Sequence, residues 1–200
     1  MTTPADCILT ARTVYNDTDS DLYRFEDSEL LVYVNEAIAE ISALKPALFN
    51  TIGDMLCTPG EVEQSVAQLD AQLIIKPLCI HGGAALTPFD LATMDAFNPN
   101  WRNDTAGPAQ QWSRLENDPL RFLIWPKAPA AAQTLDVQYV RNPLVLALTD
   151  PITEIPAGFI PAIASYVIWK AESTDDEHSV SGRAAAAYQH FLSVVNGGGA

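Results

Sequence analysis

Positive charge is scarce in this chain of 200 residues: 11 Lys and Arg stand against 25 Asp and Glu, a formal net charge of −14. Such a surface repels phosphate backbones and anionic headgroups, which excludes tight, sequence-reading nucleic-acid contact and argues against a membrane partner. Cysteine is also rare. Cys7, Cys57 and Cys79 form no CxxC pair, and their odd number and apolar neighbours predict buried thiols in a reducing compartment rather than a disulfide framework. No stretch approaches the roughly 18 apolar residues of a membrane span, and Met1 to Ile8 has no basic region followed by an apolar run, so a soluble, cytoplasmically made protein is expected.

Catalytic signatures are missing too. Asp17, Asp19 and Asp21 resemble the opening of a calcium loop, but Leu22 occupies the position that needs Gly and Ser28 the position of the bidentate Glu. Asp175, Asp176, Glu177 and His178 are consecutive, so they point in different directions and read as a wet turn between helices. His81 and His190 are candidate bases without a GxSxG elbow or a Cys-His partner. Gly82-Gly83 lacks the Lys and helix start of a phosphate loop and reads as a hairpin turn. A carboxylate pair for glycoside cleavage is open in principle, though nothing selects one pair.

What the chain does have is hydrophobic pattern, with 48 % hydrophobic and 18 % charged residues. Thr3-Pro4-Ala5-Asp6 predicts a helix from an N-cap at Thr3 to about Tyr15. Glu26-Asp27-Ser28-Glu29 launches a second helix that Pro46 ends. Leu30, Leu31, Val34, Ile38, Ile41 and Leu44 form its apolar stripe, with Glu29, Asn35, Glu36 and Glu40 facing away, so it should pack on one side only. Pro161 opens a third long helix carrying Ile163, Val167, Ile168 and Ala171, and a last one carries Ala184, Tyr188, Phe191, Leu192 and Val195 before Asn196-Gly197.

Between Pro46 and Pro151 the helical period gives way to short apolar runs, Gln72 to Ile75, Leu120 to Trp125 and the alternating Leu135 to Val140, which predict antiparallel strands and hairpins. Thr58-Pro59-Gly60-Glu61 fits a type II turn, and Leu91, Met94 and Phe97 predict a short helix within the β region. The expected class is α+β. Residues 1–46 and 152–196 should form a discontinuous helical bundle, 47–151 a β-rich insertion domain, and 197–200 a flexible tail. Trp101, Trp112, Trp125 and Trp169 with Tyr139, Tyr166 and Tyr188 offer flat contact area for interfaces, core packing being favoured for Trp125 and Trp169. The run Ala184 to Ala187 would let another helix approach closely, from the bundle or from a neighbouring subunit.

Four segments in this order resemble the head-to-tail adaptor family of short-tailed bacteriophages, of the tail tubular protein A type. They are Asp27 to Ala37 with Leu44-Lys45-Pro46, then Asp95-Ala96-Phe97-Asn98-Pro99-Asn100-Trp101, then Asp118 to Pro126, and finally Tyr166-Val167 and Trp169-Lys170-Ala171 with Ala184 to Phe191. The resemblance implies a virion protein of the neck, a ring of about twelve copies between the portal protein and the tail nozzle protein. Double-stranded DNA would pass through that ring without specific binding. No active site, cofactor or metal is implied. The last helix and the tail 197–200 are the candidate portal contact, because a free chain end can order on a partner, and Tyr188, Phe191 and Leu192 are its candidate anchors. The alternatives are a virion-associated cell-wall hydrolase using an acidic pair, and a neck or head-completion protein of a long-tailed phage.

Overall fold

A computed structural model of the chain describes residues 1–174 and 182–197. They divide into two compact units, one made of Met1–Leu48 with the described residues from Pro143 onward, the other of Phe49–Asn142. The class is α+β, with a helical bundle built from both ends of the chain and a β-rich middle.

In the helical unit, α1 spans Pro4–Val14 and starts on a reciprocal cap: the Thr3 hydroxyl accepts from the Asp6 backbone, and the Asp6 carboxylate accepts from the Thr3 backbone at 2.8 Å. The bonds that this carboxylate accepts from the Thr3 backbone first and from the Thr3 hydroxyl second hold the Asp6 carboxyl below its ordinary range. Helix α2 spans Asp27–Leu44, α4 Ile160–Thr174 and α5 Arg183–Gly197. Helix α4 is the centre, with α1, α2 and α5 all packed on it. That position explains why every residue from Ala162 to Ile168 is buried, Ala164, Ser165 and Tyr166 included, where the apolar period alone marks a single stripe.

The stripe of α2 holds at Leu30, Val34, Ile38 and Ile41, whereas Leu31 is half-buried and Leu44 is exposed. Its polar flank does not simply face away. Asn35 gives and takes hydrogen bonds with the backbone of Leu146, at 3.1 and 2.8 Å, and Glu36 pairs with Lys170 at 2.9 Å. The expectation of one-sided packing is therefore corrected. Backbone bonds from Ile152 to the Thr2 carbonyl and from Ala5 to the Leu148 carbonyl tie the returning chain to its own beginning, at 2.9 and 3.2 Å.

The other unit holds two sheets. In the first, β1 (Asn50–Leu56), β7 (Thr134–Arg141) and β3 (Ala71–Ile80) lie in the order β1-β7-β3. In the second, β2 (Glu63–Ser65), β6 (Arg121–Trp125), β5 (Gln111–Arg114) and β4 (Thr87–Pro88) lie in the order β2-β6-β5-β4. Met55, Leu135, Val137 and Ile74 from the first sheet and Phe122 and Ile124 from the second share one core. Leu135, Val137 and Tyr139 alternate inward along β7, as the period of two requires.

Simple hairpins are few. Most pairings join strands far apart in sequence, and β4 runs parallel to β5. The Gly82-Gly83 turn is one of the hairpins, with Gly82 at φ +67° and Cys79 bridged to Ala85. The turn at Pro59 also forms, with Gly60 at φ +76° and Glu61 donating to the Thr58 carbonyl. Helix α3, Leu91–Phe97, is capped by Asp90 but buries none of its residues, and Phe97 is 93 % exposed.

Candidate functional site

The aromatic residues singled out at the chain's end meet between α4 and α5. Tyr166 contacts Phe191 edge-on at 5.2 Å, Tyr188 stacks on Phe191 at 5.8 Å, and Trp169 lies 4.4 Å from Tyr188. Phe191 has no exposed surface and belongs to the bundle core, while Tyr188 and Leu192 are half-buried and reach the surface. The same seam is tied by a 2.8 Å hydrogen bond between Ser165 and His190 and by an ion pair of Arg183 with the buried Glu172 at 2.9 Å. Ser165 also donates to the Pro161 carbonyl, so its hydroxyl ties helices rather than standing ready as a nucleophile. In the Ala run, Ala184 and Ala187 are half-buried and Ala185 and Ala186 exposed, so α5 turns one side of it inward. The candidates Asp175, Asp176, Glu177 and His178 and the tail residues 198–200 lie outside the described residues.

The calcium-like loop is resolved differently. Asp17 is 5 % exposed, and its carboxylate accepts from the buried Arg12 guanidinium and from the Arg24 backbone. Arg12 also donates to the Phe25 carbonyl and to Asp27 and lies 3.5 Å from the ring centre of Tyr23. This arginine completes the loop's electrostatics, and Asp19 serves a local turn by accepting from the Asp21 backbone.

Tryptophan burial is also redistributed. Trp101 is the fully buried one, with Nε1 donating to Asp95 at 2.7 Å, whereas Trp112, Trp125 and Trp169 are only half-buried. Asp95 additionally accepts from Arg102, and these bonds, Arg102 first, hold its carboxyl low. The expectation that favours Trp125 and Trp169 for the core is corrected: Trp101 is held by a partner only six positions back, on α3, at a spacing that no apolar period marks.

In the β-rich unit, strand register builds a polar cluster that no spacing in the sequence announces. Asp136 on β7 stands directly opposite Asp54 on β1 and opposite Cys79 on β3. His81, the residue after β3, is fixed by its backbone bond to the Thr134 carbonyl at 2.9 Å. Its Nδ1 lies 2.7 Å from an Asp136 oxygen and 3.5 Å from an Asp54 oxygen, and the Cys79 thiol donates to the other Asp136 oxygen at 3.2 Å.

The charges respond to that proximity. The hydrogen bond to Asp136, with the negative field of both aspartates, raises the His81 pKa, and the same bond, with the one from Cys79, lowers that of Asp136. The bond to Asp136 raises the Cys79 thiol. Cys7 and Cys57 are buried as expected, and burial pushes each up to about 11, but Cys79 is only partly covered and is corrected from a buried thiol to a surface-reaching one. Among the described residues Asp54, His81 and Asp136 place one donor atom each within 4.8 Å of one another. His81 also borders a cavity of about 370 Å³ walled by Ile80, Pro108, Pro129 and Thr134, where Gln133 is 7 % exposed with neither amide atom partnered.

No curated protein matches the chain. No described helix is long and apolar enough to cross a membrane. A family model described as SU10 adaptor protein matches residues 2–197, spanning both the helical and the β-rich units. With nearly its whole length covered, the chain belongs to this phage adaptor family, and its role is that of a structural virion adaptor.

Proposed function

We propose that the chain joins the portal ring to the tail nozzle in the virion neck, as a ring of about twelve copies whose lumen is part of the DNA ejection channel. The observation that carries this reading is the family match over residues 2–197. The surplus of 25 acidic over 11 basic side chains supports it, because a ring of such subunits sets up a field that keeps a phosphate backbone from adhering as it slides past. In this reading 1–46 with 152–196 form the bundle domain, and 47–151 the β-rich insertion domain. Tyr188 and Leu192 at the α4–α5 seam meet the portal, and Phe191 beneath them holds the surface in place. Connection of this kind requires shape and stickiness, not an active site.

The test is co-migration of the purified chain with the portal ring of its own phage, read by size-exclusion chromatography with light scattering. A complex is expected, weakened by Tyr188→Ala and Leu192→Asp, together with a blank peptidoglycan zymogram. Failure of the two proteins to associate, or a clear lytic band, contradicts the reading.

A further inference from the structure

We propose that Asp54, His81 and Asp136 form a binding site for one zinc-class divalent transition-metal ion on the sheet face opposite the core of the β-rich unit. Asp54 and Asp136 sit on hydrogen-bonded strands whose register sets them directly opposite each other, and the His81 backbone is itself bonded to β7. They are therefore placed by the sheet and not by a loose loop.

The donor set decides the class of ion. One imidazole nitrogen with two carboxylates suits zinc and its neighbours, whereas calcium and magnesium take oxygen ligands almost throughout. Spacing agrees. With metal–ligand bonds of about 2.0–2.3 Å, neighbouring donors of a tetrahedral site lie about 3.3–3.8 Å apart. His81 Nδ1 lies 2.7 Å from Asp136 and 3.5 Å from Asp54, and all three donor atoms fall within 4.8 Å of one another, so small side-chain rotations bring them to that edge. An ion would take the place of any proton shared between the ring and the carboxylates, releasing it to solvent.

Two further observations point the same way. Asp54 and Asp136 are directly opposed like charges on neighbouring strands bridged by the His81 ring, so a divalent ion bound there would offset their repulsion more fully than the imidazole does. And His81 borders an open pocket of about 370 Å³, through which water or an exchangeable ligand can reach the ion.

The experiment uses the full chain without an affinity tag, stripped with chelator and titrated with cobalt(II), followed by displacement with zinc. One equivalent is expected to give saturable d–d bands that zinc removes. His81→Ala and Asp136→Asn should each weaken binding by about tenfold or more, with Glu116→Gln unchanged. All three ligand side chains lie at or near the surface, so thermal unfolding of each variant should match the parent and separate lost ligation from lost fold. No saturable spectrum, affinity unchanged in both His81→Ala and Asp136→Asn, or tighter binding of calcium or magnesium would each overturn the proposal.

Discussion

The two units dispose of their charges in opposite ways. The helical unit takes Arg12, Asp17 and Glu172 inside, each 5 % exposed or less, and gives every one a partner across helices or along the connecting loop. The β-rich unit gathers Asp54, His81 and Asp136 on the outside of a sheet, where they hold each other but bury little. Buried ions that have lost their hydration must stay paired, so the first set belongs to the fold; a solvated cluster contributes little to stability and is free to take a ligand.

The sharpest way to break this contrast is to remove Arg12. Arg12→Ala leaves the buried Asp17 carboxylate uncompensated, and a loss of about 3–5 kcal/mol is expected in urea unfolding. Phe191→Ala empties a fully buried ring position and should cost a comparable amount, about 3–5 kcal/mol, by the same assay. If instead Phe191→Ala unfolds like the parent, the ring is not part of the bundle core. Thr3→Ala should cost about 1 kcal/mol through the lost cap. Because the Asp6 carboxyl titrates below its ordinary range when folded, its share of that cap is present above the unfolded value and lost as pH falls through the folded one. The Thr3→Ala penalty should therefore shrink in acid, and a penalty that grows there would contradict the capping geometry.

At the small end, His81→Ala should leave unfolding in metal-free buffer close to that of the parent, in contrast to Arg12→Ala. Thiol titration sharpens the same comparison. At neutral pH Cys79 should react with a thiol reagent well before Cys7 and Cys57, whose burial holds them protonated with pKa values pushed up to about 11, and all three should react in urea. Equal rates for the three in the folded protein would count against the described burial.

Local physics made the helices legible. Thr3, Pro4 and Asp6 announce α1, Pro46 stops α2, and the spacing of Leu30, Val34, Ile38 and Ile41 marks a face that is buried. The alternation in β7 and the glycine turns at Gly60 and Gly82 are readable for the same reason: their signals lie within a few residues. What escaped was whatever depends on pairing between distant segments. The central place of α4 and the bonds of Asn35 to Leu146 are set by neighbours that no period encodes. The cluster at His81 is the clearest case, because its aspartates come from β1 and β7, more than twenty and more than fifty positions away, and meet through the non-sequential order β1-β7-β3. In the sequence His81 reads as a lone base and Cys79 as a buried thiol, because nothing there places Asp136 beside them.

Electron microscopy of the chain mixed with the purified portal ring of its own phage tests the adaptor reading most directly. An added ring of density is expected on one end of the portal, coaxial with its channel and missing when Tyr188 and Leu192 are both replaced. Portal rings that stay bare at saturating concentrations of folded protein would contradict it.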